Sequence, residues 1–285
     1  MAIENVQQAM RMIRTSLVDL YPTGEVEAFI RLIFEELCGY STTQLLLNRD
    51  AMLSVETVAR IEDIVERLLR HEPIQYILGS AYFGDLRMEV GSGVLIPRPE
   101  TAEIVQRIID MQGNVKGRVA DLCTGSGCIA ISLAKAWKDA VVEGWDISSE
   151  ALAYARRNGS AHGVDIEWGE WDVLGYKSSG EPRYEVMVSN PPYIMERERV
   201  EMADNVLRYE PHTALFVADD KPLLFYEAIA DIAMSELFPG GVLYFEINRS
   251  MGHACCEMLC RKGFAEVEVF KDFLEADRMV RCVKV

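Results

Sequence analysis

The stretch that most constrains how this chain can fold is Asp121-Leu-Cys-Thr-Gly-Ser-Gly127. Val119 to Leu122 reads as a short apolar strand, and Cys128 to Trp137 carries apolar residues at helical spacing. Cys123 to Gly127 must therefore turn a strand into a helix. Gly125 and Gly127 permit positive φ and close backbone approach, and the helix start offers free N–H groups, so the turn can cradle a nucleotide-like ligand. From residue 118 onward strand and helix patterns alternate, through strands at Ala140–Trp145, Val164–Trp168, Tyr184–Ser189, Gly241–Ile247 and Ala265–Phe270, with a helix from about Met251 to Arg261. Met279–Val285 is expected to close the sheet as an edge strand. The fold class is thus α/β, a Rossmann-like, mostly parallel sheet covered on both faces. Functional loops in such a sheet gather at the carboxyl ends of the central strands, where Cys123, Asp146, Asp172 and Asn190 fall.

Asn190-Pro191-Pro192-Tyr193 follows the strand that ends at Ser189. Two prolines remove two backbone donors and fix φ, which leaves neighbouring carbonyls facing a ligand as acceptors. Asn190 adds a side-chain carbonyl, and Tyr193 an aromatic face for a flat amide or base. An amide or aniline-type nitrogen is a poor nucleophile that becomes positive as it accepts a methyl group. Two carbonyl oxygens, of Asn190 and Pro191, can bind both of its N–H bonds and turn its lone pair toward the methyl. The plainer reading is a strand terminator beside an ordinary core tyrosine, and its position downstream of a glycine turn argues against it.

Asp146 stands nineteen residues past Gly127, at the end of a strand, placed to accept both ribose hydroxyls of an adenosyl group. Helix capping by Asp146 or Ser148 is the alternative. Asp172 follows a third strand and is either an acceptor for an adenine amino group or a plain loop carboxylate. Gly125-Ser-Gly127-Cys-Ile-Ala130 formally fits a dinucleotide fingerprint. Asp121, suited to the amino-acid end of a zwitterionic cofactor, and the later Asn-Pro-Pro-Tyr favour S-adenosylmethionine over a nicotinamide.

Glu72-Pro-Ile-Gln-Tyr-Ile-Leu-Gly79, Tyr82-Phe83-Gly84, Leu95-Ile-Pro-Arg-Pro-Glu-Thr101, Tyr209-Glu-Pro-His-Thr-Ala-Leu215, Gly240-Gly-Val-Leu-Tyr-Phe-Glu246 and Asp277-Arg278 flank these motifs in order. With them the chain resembles, over nearly its whole length, the HemK/PrmC family of peptide-chain release factor glutamine N5-methyltransferases. The resemblance implies a class I methyltransferase domain behind a small helical domain that helps dock the substrate, the glutamine of a Gly-Gly-Gln loop in class I release factors. It implies S-adenosylmethionine as methyl donor and S-adenosylhomocysteine as product. It places the cofactor on Asp121, on the turn Cys123, Thr124, Gly125, Ser126 and Gly127, on Asp146 at the ribose, on Asp172 and Val173 near adenine, and beside Asn190. Asn190, Pro191, Pro192 and Tyr193 take the glutamine amide. Cys123 departs from the family, which more often has glycine there, so the turn must tolerate a Cβ.

At 285 residues and 49% apolar, the chain can build two cores. Residues 1–75 are expected to form the helical domain, 76–97 a β-hairpin connector and 98–285 the methyltransferase domain. Ile3, Val6, Met10, Ile13 and Leu17 mark a first amphipathic helix, and a second starts near Glu25. Ser41 and Ser54 read as caps of helices at Thr42–Leu47 and Val55–Leu69. Glycines at 79, 84, 91 and 93 suggest a hairpin over Tyr76–Ile96. Prolines either side of Arg98 stiffen a segment that can hold Arg98, Glu100 and Glu103 at the cofactor's edge or serve only capping and a surface ion pair. The charged stretch from Tyr193 through Glu210 reads as a loop and a candidate lid.

A net charge of −16 opposes attachment to phosphate backbones, so direct nucleic-acid binding is not expected. Residues 1–90 hold eight arginines, no lysine and fourteen acids, an excess that suits a basic protein partner or merely solvates helices. No long uncharged apolar run and no signal-like start occur, which points to the cytoplasm with no membrane contact. The seven cysteines lack metal-type pairs and the four histidines are scattered, so no metal is expected and the thiols read as reduced. A monomer is expected. The competing readings are an adenine-amino or other nucleic-acid N-methyltransferase, which shares the acceptor tetrapeptide, and a noncatalytic cofactor-binding scaffold.

Overall fold

The apolar spacing at the amino end closes a helical core in the computed structural model, which describes residues 3–178 and 180–285. In α1 (Val6–Leu17) the residues Val6, Met10, Ile13 and Leu17 are buried as their spacing predicts, and Asn5 caps the helix by accepting from the Gln8 N–H at 3.0 Å. α2 (Thr23–Cys38) ends on Gly39 at φ +67°, a left-handed stop that a Cβ would strain. Ser41 forms a capping box with Gln44 on α3 (Thr42–Leu47), and Ser54 caps α4 (Val55–Leu69). Ile30, Ile33, Phe34, Ile61 and Ile64 fill the centre with almost no exposure, each contributing about 1.5–3 kcal/mol of burial.

The expected hairpin over Tyr76–Ile96 needs correction. Pro73 starts a short helix instead, α5 (Ile74–Leu78), which buries Ile74, Tyr76 and Ile77 and ends on Gly79 at φ +76°. The hairpin is confined to β1 (Ser80–Phe83) and β2 (Leu86–Glu89), with Phe83 opposite Leu86 around Gly84-Asp85. Glycine spacing marked where chain direction changes, not which element lay between.

Two compact units result. The helical one ends at Gly79 and takes in Ala203–Tyr209; the other comprises Ser80–Met202 and Glu210–Val285. The larger unit continues with α6 (Pro99–Gln112), β3 (Arg118–Leu122), α7 (Cys128–Ala136), β4 (Val141–Asp146), α8 (Ser149–Ala161), β5 (Glu167–Glu170), β6 (Tyr184–Ser189) and β7 (Ile194–Met195). The stretch expected to be a loop then forms a 3-10 turn, Glu196–Glu201, and α9 (Asp204–Tyr209), where the Tyr209 hydroxyl donates to the Arg70 carbonyl within the helical unit. Glu210, expected in the same charged lid, is instead buried, because Arg98 and the Ile96 N–H hold its carboxylate. After β8 (Phe216–Val217) come α10 (Leu224–Glu236), β9 (Leu237–Glu246), α11 (Gly252–Lys262), β10 (Phe264–Lys271) and β11 (Asp277–Lys284).

The main sheet runs β10-β11-β9-β6-β3-β4-β5, with β9, β6, β3, β4 and β5 parallel and β11 antiparallel to both neighbours. The terminal strand is therefore not the edge. Val280 and Cys282 are fully buried in β11, whereas β10 alternates through Glu266, Glu268 and Lys271 and tolerates an open side. At the other edge β5 begins later than expected and is short. α6, α7 and α8 pack side by side on one face of the sheet, and α10 with α11 covers the other.

β5 delivers Trp168 onto three glycines. A Cβ on Gly144, its register partner in β4, would meet the indole at 2.4 Å and Thr124 Oγ1 at 3.2 Å; one on Gly127 would meet it at 2.8 Å and one on Gly159 at 3.3 Å. The missing side chains let the indole lie across the sheet against the base of the turn after β3. Gly144→Ala is predicted to destabilise the protein by about 1–3 kcal/mol, the range for overpacking a filled site. Urea unfolding measures it, and an unchanged midpoint refutes the close-packed reading.

Candidate active site

The turn after β3 is built from strain and from hydrogen bonds to two carboxylates. Cys123, Gly125 and Gly127 all lie at positive φ, at +63°, +55° and +82°. For Cys123 that conformation costs about 1–2 kcal/mol, because its Cβ crowds the backbone. The expected departure from glycine is thus accommodated without a change of turn. Thr124 N–H donates to the Trp145 carbonyl at 2.8 Å, and Gly125 N–H donates to Asp146 Oδ2 at 2.8 Å. Asp146 Oδ1 accepts from Ser148 N–H at 2.9 Å, while Ser148, not Asp146, caps α8. Each Asp146 oxygen keeps a second lone pair for an incoming hydroxyl. Burial raises the Asp146 pKa against the backbone N–H groups of Ser148, Gly125 and Ile147.

Asp121 lies fully buried beneath this turn. Its Oδ2 accepts from Thr124 Oγ1 at 2.5 Å and from Ala130 N–H at 3.1 Å. Its Oδ1 has no partner, the one such buried side-chain atom among the described residues. Burial pushes the carboxyl up to about 7, opposed by the bonds from Thr124 and Ala130 and assisted by the nearby Asp146. A cation supplied at Oδ1 would relieve that cost.

A cavity of about 380 Å³ opens over the turn. Of the residues expected to hold cofactor, Cys123, Thr124, Gly125, Ser126, Asp146, Asp172, Val173 and Asn190 line it. Asp121 and Gly127 do not, since both lie behind the surface, Gly127 against Trp168. Asp172 is exposed at the rim, its Oδ1 accepting from Leu174 N–H at 2.9 Å, and Val173 is buried beside it. Asn190 and Pro192 of the tetrapeptide line the cavity; Pro191 and Tyr193 do not. Tyr193 therefore offers no aromatic face there. Its ring packs on the core and its hydroxyl donates to Glu246 Oε1 at 3.0 Å, because a buried phenol needs an acceptor. Arg98 lines the cavity but Glu100 and Glu103 do not; Arg98 pairs with Glu210 at 2.6 Å.

Several lining residues were not singled out by sequence reasoning. Ile147, Trp171, Leu174, Phe216 and Phe225 form an apolar wall, with Ile147 61% and Trp171 47% exposed. Apolar residues next to Asp146 and Asp172 in loops were the available signal. Asn158 is buried; its Nδ2 donates to the Ser126 and Glu89 carbonyls at 3.0 Å each and ties the hairpin to the turn. Burial of an asparagine on a helix face leaves no mark in a single sequence.

The cavity fits an adenosyl group, with free lone pairs on Asp146 for hydroxyls and an apolar wall for a flat ring, while the orphaned Asp121 oxygen lies behind the turn and outside the cavity lining. Among the described residues no cluster of ligating side chains could hold a metal ion.

Two expected outcomes test this assignment. Asp146→Ala weakens S-adenosylhomocysteine binding by about 1–3 kcal/mol in calorimetry, since it removes a charged acceptor and unties Gly125. Asp121 makes a pH prediction. Its folded pKa of about 7 exceeds the ordinary 3.8, so between these values the native chain holds a proton that the unfolded chain lacks. Stability from this group is present at low pH and declines as pH rises through that window, by on the order of a few kcal/mol. The stability of the unliganded wild type relative to Asp121→Asn must therefore fall from about pH 4 to pH 7. A difference that stays flat with pH would mean Asp121 ionises without penalty.

Comparison with known proteins agrees with this geometry. Residues 8–79 match the model of the PrmC N-terminal domain and residues 83–213 that of the methyltransferase small domain. The chain is 44% identical over 268 residues to the release factor glutamine methyltransferase of Bacteroides thetaiotaomicron, covering 94% of this chain and 96% of that one. It is 38% identical to that of Flavobacterium psychrophilum, covering 93% and 94%. A methyltransferase structure from Pyrococcus furiosus shares the fold at a TM-score of 0.52 and 18% identity, covering 78% of this chain and 98% of that one. A strained glycine-rich turn after β3, a carboxylate at the end of β4 and Asn-Pro-Pro-Tyr after β6, carried on a sequence this similar from end to end, make the chain a member of the release factor glutamine methyltransferase family.

Proposed function

We infer that this chain transfers a methyl group from S-adenosylmethionine to the side-chain amide nitrogen of the glutamine in the Gly-Gly-Gln motif of class I release factors, leaving S-adenosylhomocysteine. The observation that carries the reading is that Asn190, at the end of β6, opens on the same cavity as the glycine turn after β3. Adjacent parallel strands thus present the acceptor and donor sites side by side.

When bound, the cofactor supplies an electrophilic methyl on a positively charged sulfur. Everything else falls to the chain. The Asn190 side-chain oxygen, which opens on the cavity, accepts one N–H bond of the glutamine amide, and the Pro191 carbonyl, outside the cavity lining as it stands, is proposed as acceptor of the other; together they fix the amide plane and point the lone pair at the methyl. The same acceptors meet the positive charge as it develops on nitrogen. No general base is needed before transfer, because the amide proton becomes acidic only as the new bond forms. The apolar side chains from Ile147 to Phe225 line the cavity where a flat adenine ring would pack.

The nucleic-acid alternative shares the tetrapeptide but meets a chain of net charge −16, and we propose that no nucleic acid is bound directly. The scaffold alternative leaves Asn190, an acceptor that opens on the cofactor's own cavity, without a use. A role for the acidic helical unit in docking a basic release-factor surface, action as a monomer and a cytoplasmic setting complete the proposal; no helix among the described residues is long and apolar enough to cross a membrane.

Asn190→Ala is expected to raise the methyl-transfer barrier by ~3 kcal/mol or more while leaving S-adenosylhomocysteine affinity within a few-fold, on the scale of deleting one preorganised polar group. Asn190→Asp, which keeps an acceptor, should retain part of the rate. Single-turnover methylation of a release factor with labelled cofactor reads both. Near wild-type turnover by the alanine variant would overturn the mechanism.

A further inference from the structure

Behind the tetrapeptide lies a chain of polar side chains that the reaction as described does not use. Thr101, from the first turn of α6, lines the cavity and is 3% exposed; Glu246, the last residue of β9, is 3% exposed behind it. Asn190 Nδ2 donates to Thr101 Oγ1 at 3.4 Å, and Thr101 Oγ1 donates to Glu246 Oε2 at 2.6 Å. The other carboxylate oxygen, Oε1, accepts from the Tyr193 hydroxyl at 3.0 Å. One buried carboxylate thus holds the first residue of the tetrapeptide through a hydroxyl and the last directly.

The order of donors decides which way the Asn190 amide faces. A hydroxyl has one proton to give. A carboxylate only accepts, so Thr101 commits that proton to Glu246 and can offer Asn190 nothing but a lone pair. A lone pair is satisfied by the amide NH2, never by the amide oxygen. Asn190 Nδ2 is therefore drawn to Thr101, and Oδ1, on the other arm of the planar amide, is left for the cavity. Without the relay the two faces of the amide, nearly equal in shape, would compete. One of them presents a donor where the incoming glutamine NH2 needs an acceptor.

We propose that Thr101 and Glu246 are positioning residues that lock the Asn190 side chain with its carbonyl toward the glutamine amide. The proposal rests on the reading of Asn190 as an acceptor for that amide. Burial raises the Glu246 pKa, and the neighbouring Glu100 acts in the same sense; the bonds donated by Thr101 and Tyr193 and the nearby Arg278 guanidinium, itself anchored by Asp272 at 3.0 Å, oppose it. The Asn190–Thr101 bond, at 3.4 Å, is the longest of the three in this chain of side chains.

The test is single-turnover methylation of a release factor by Thr101→Val, Thr101→Ser and Asn190→Ala, singly and as the Thr101→Val/Asn190→Ala pair. Valine keeps the shape of threonine and removes the hydroxyl; serine keeps the hydroxyl. Thr101→Val should lower kcat about tenfold or more with KM for the release factor and S-adenosylhomocysteine affinity within about threefold, the pattern of an interaction made in the transition state. Thr101→Ser should restore most of the lost rate, and the pair should be no slower than Asn190→Ala alone. An unaltered kcat in Thr101→Val, an equal loss in the serine variant, or losses that multiply in the pair would each overturn the relay. Should Asn190→Ala itself methylate normally, the acceptor reading fails first and the relay with it. An inactive Asn190→Ala beside a fully active Thr101→Val sinks the relay alone.

Discussion

A buried carboxylate under the turn after β3 sets the terms for this molecule. Asp121 is shut away from water with one oxygen bound by Thr124 and Ala130 and the other bound by nothing. The two bonds it makes hold the turn to the first residues of α7, and Asp146 grips the turn from the neighbouring strand through Gly125 N–H. Between them the carboxylates maintain three departures into positive φ at alternate residues, Cys123, Gly125 and Gly127. The free-energy cost of the orphaned oxygen is borne by the surrounding sheet.

The acceptor side repeats this arrangement one strand away. β6 ends on Ser189, whose hydroxyl donates to the Leu122 carbonyl at 2.6 Å and joins the two catalytic strand ends. The tetrapeptide that follows is held from behind by Glu246 and, through the Tyr193 carbonyl, by Asn248 Nδ2 at 3.3 Å. Buried acids at both ends of the site thus act through neutral groups. Asp121 works through a turn and Glu246 through a threonine and a tyrosine. This fits chemistry in which the nucleophile needs orientation more than a base.

The cavity walls come from segments remote in sequence. Leu95 to Arg98 is held in place by Glu210, and Pro211 to Phe216 follows directly from that residue, with Arg199 stacked 4.5 Å from the Phe216 ring centre. The glycines around Trp168 let β4 and β5 approach the turn closely enough for Ile147 and Trp171 to flank it. A single overpacked contact there would be felt at the cofactor, since dense interiors transmit displacement more readily than they absorb it.

Much of this was legible in the sequence because it rests on local rules. Helix periodicity, the serine caps at 41 and 54 and the strand–turn–helix at 119–137 each follow from a few adjacent residues. So did the strained Cys123, since a Cβ in place of glycine in such a turn has few conformations to choose from. Tertiary structure alone decided that Met279 to Val283 pairs on both sides, because strand order depends on which edges remain open after the rest of the sheet has assembled. It also decided that Tyr193 turns inward, that Glu210 is buried and that α9 belongs with the helical unit. In each case a polar group took the partner available to it once folding had removed water, and that partner lay too far along the chain for any local pattern to announce it.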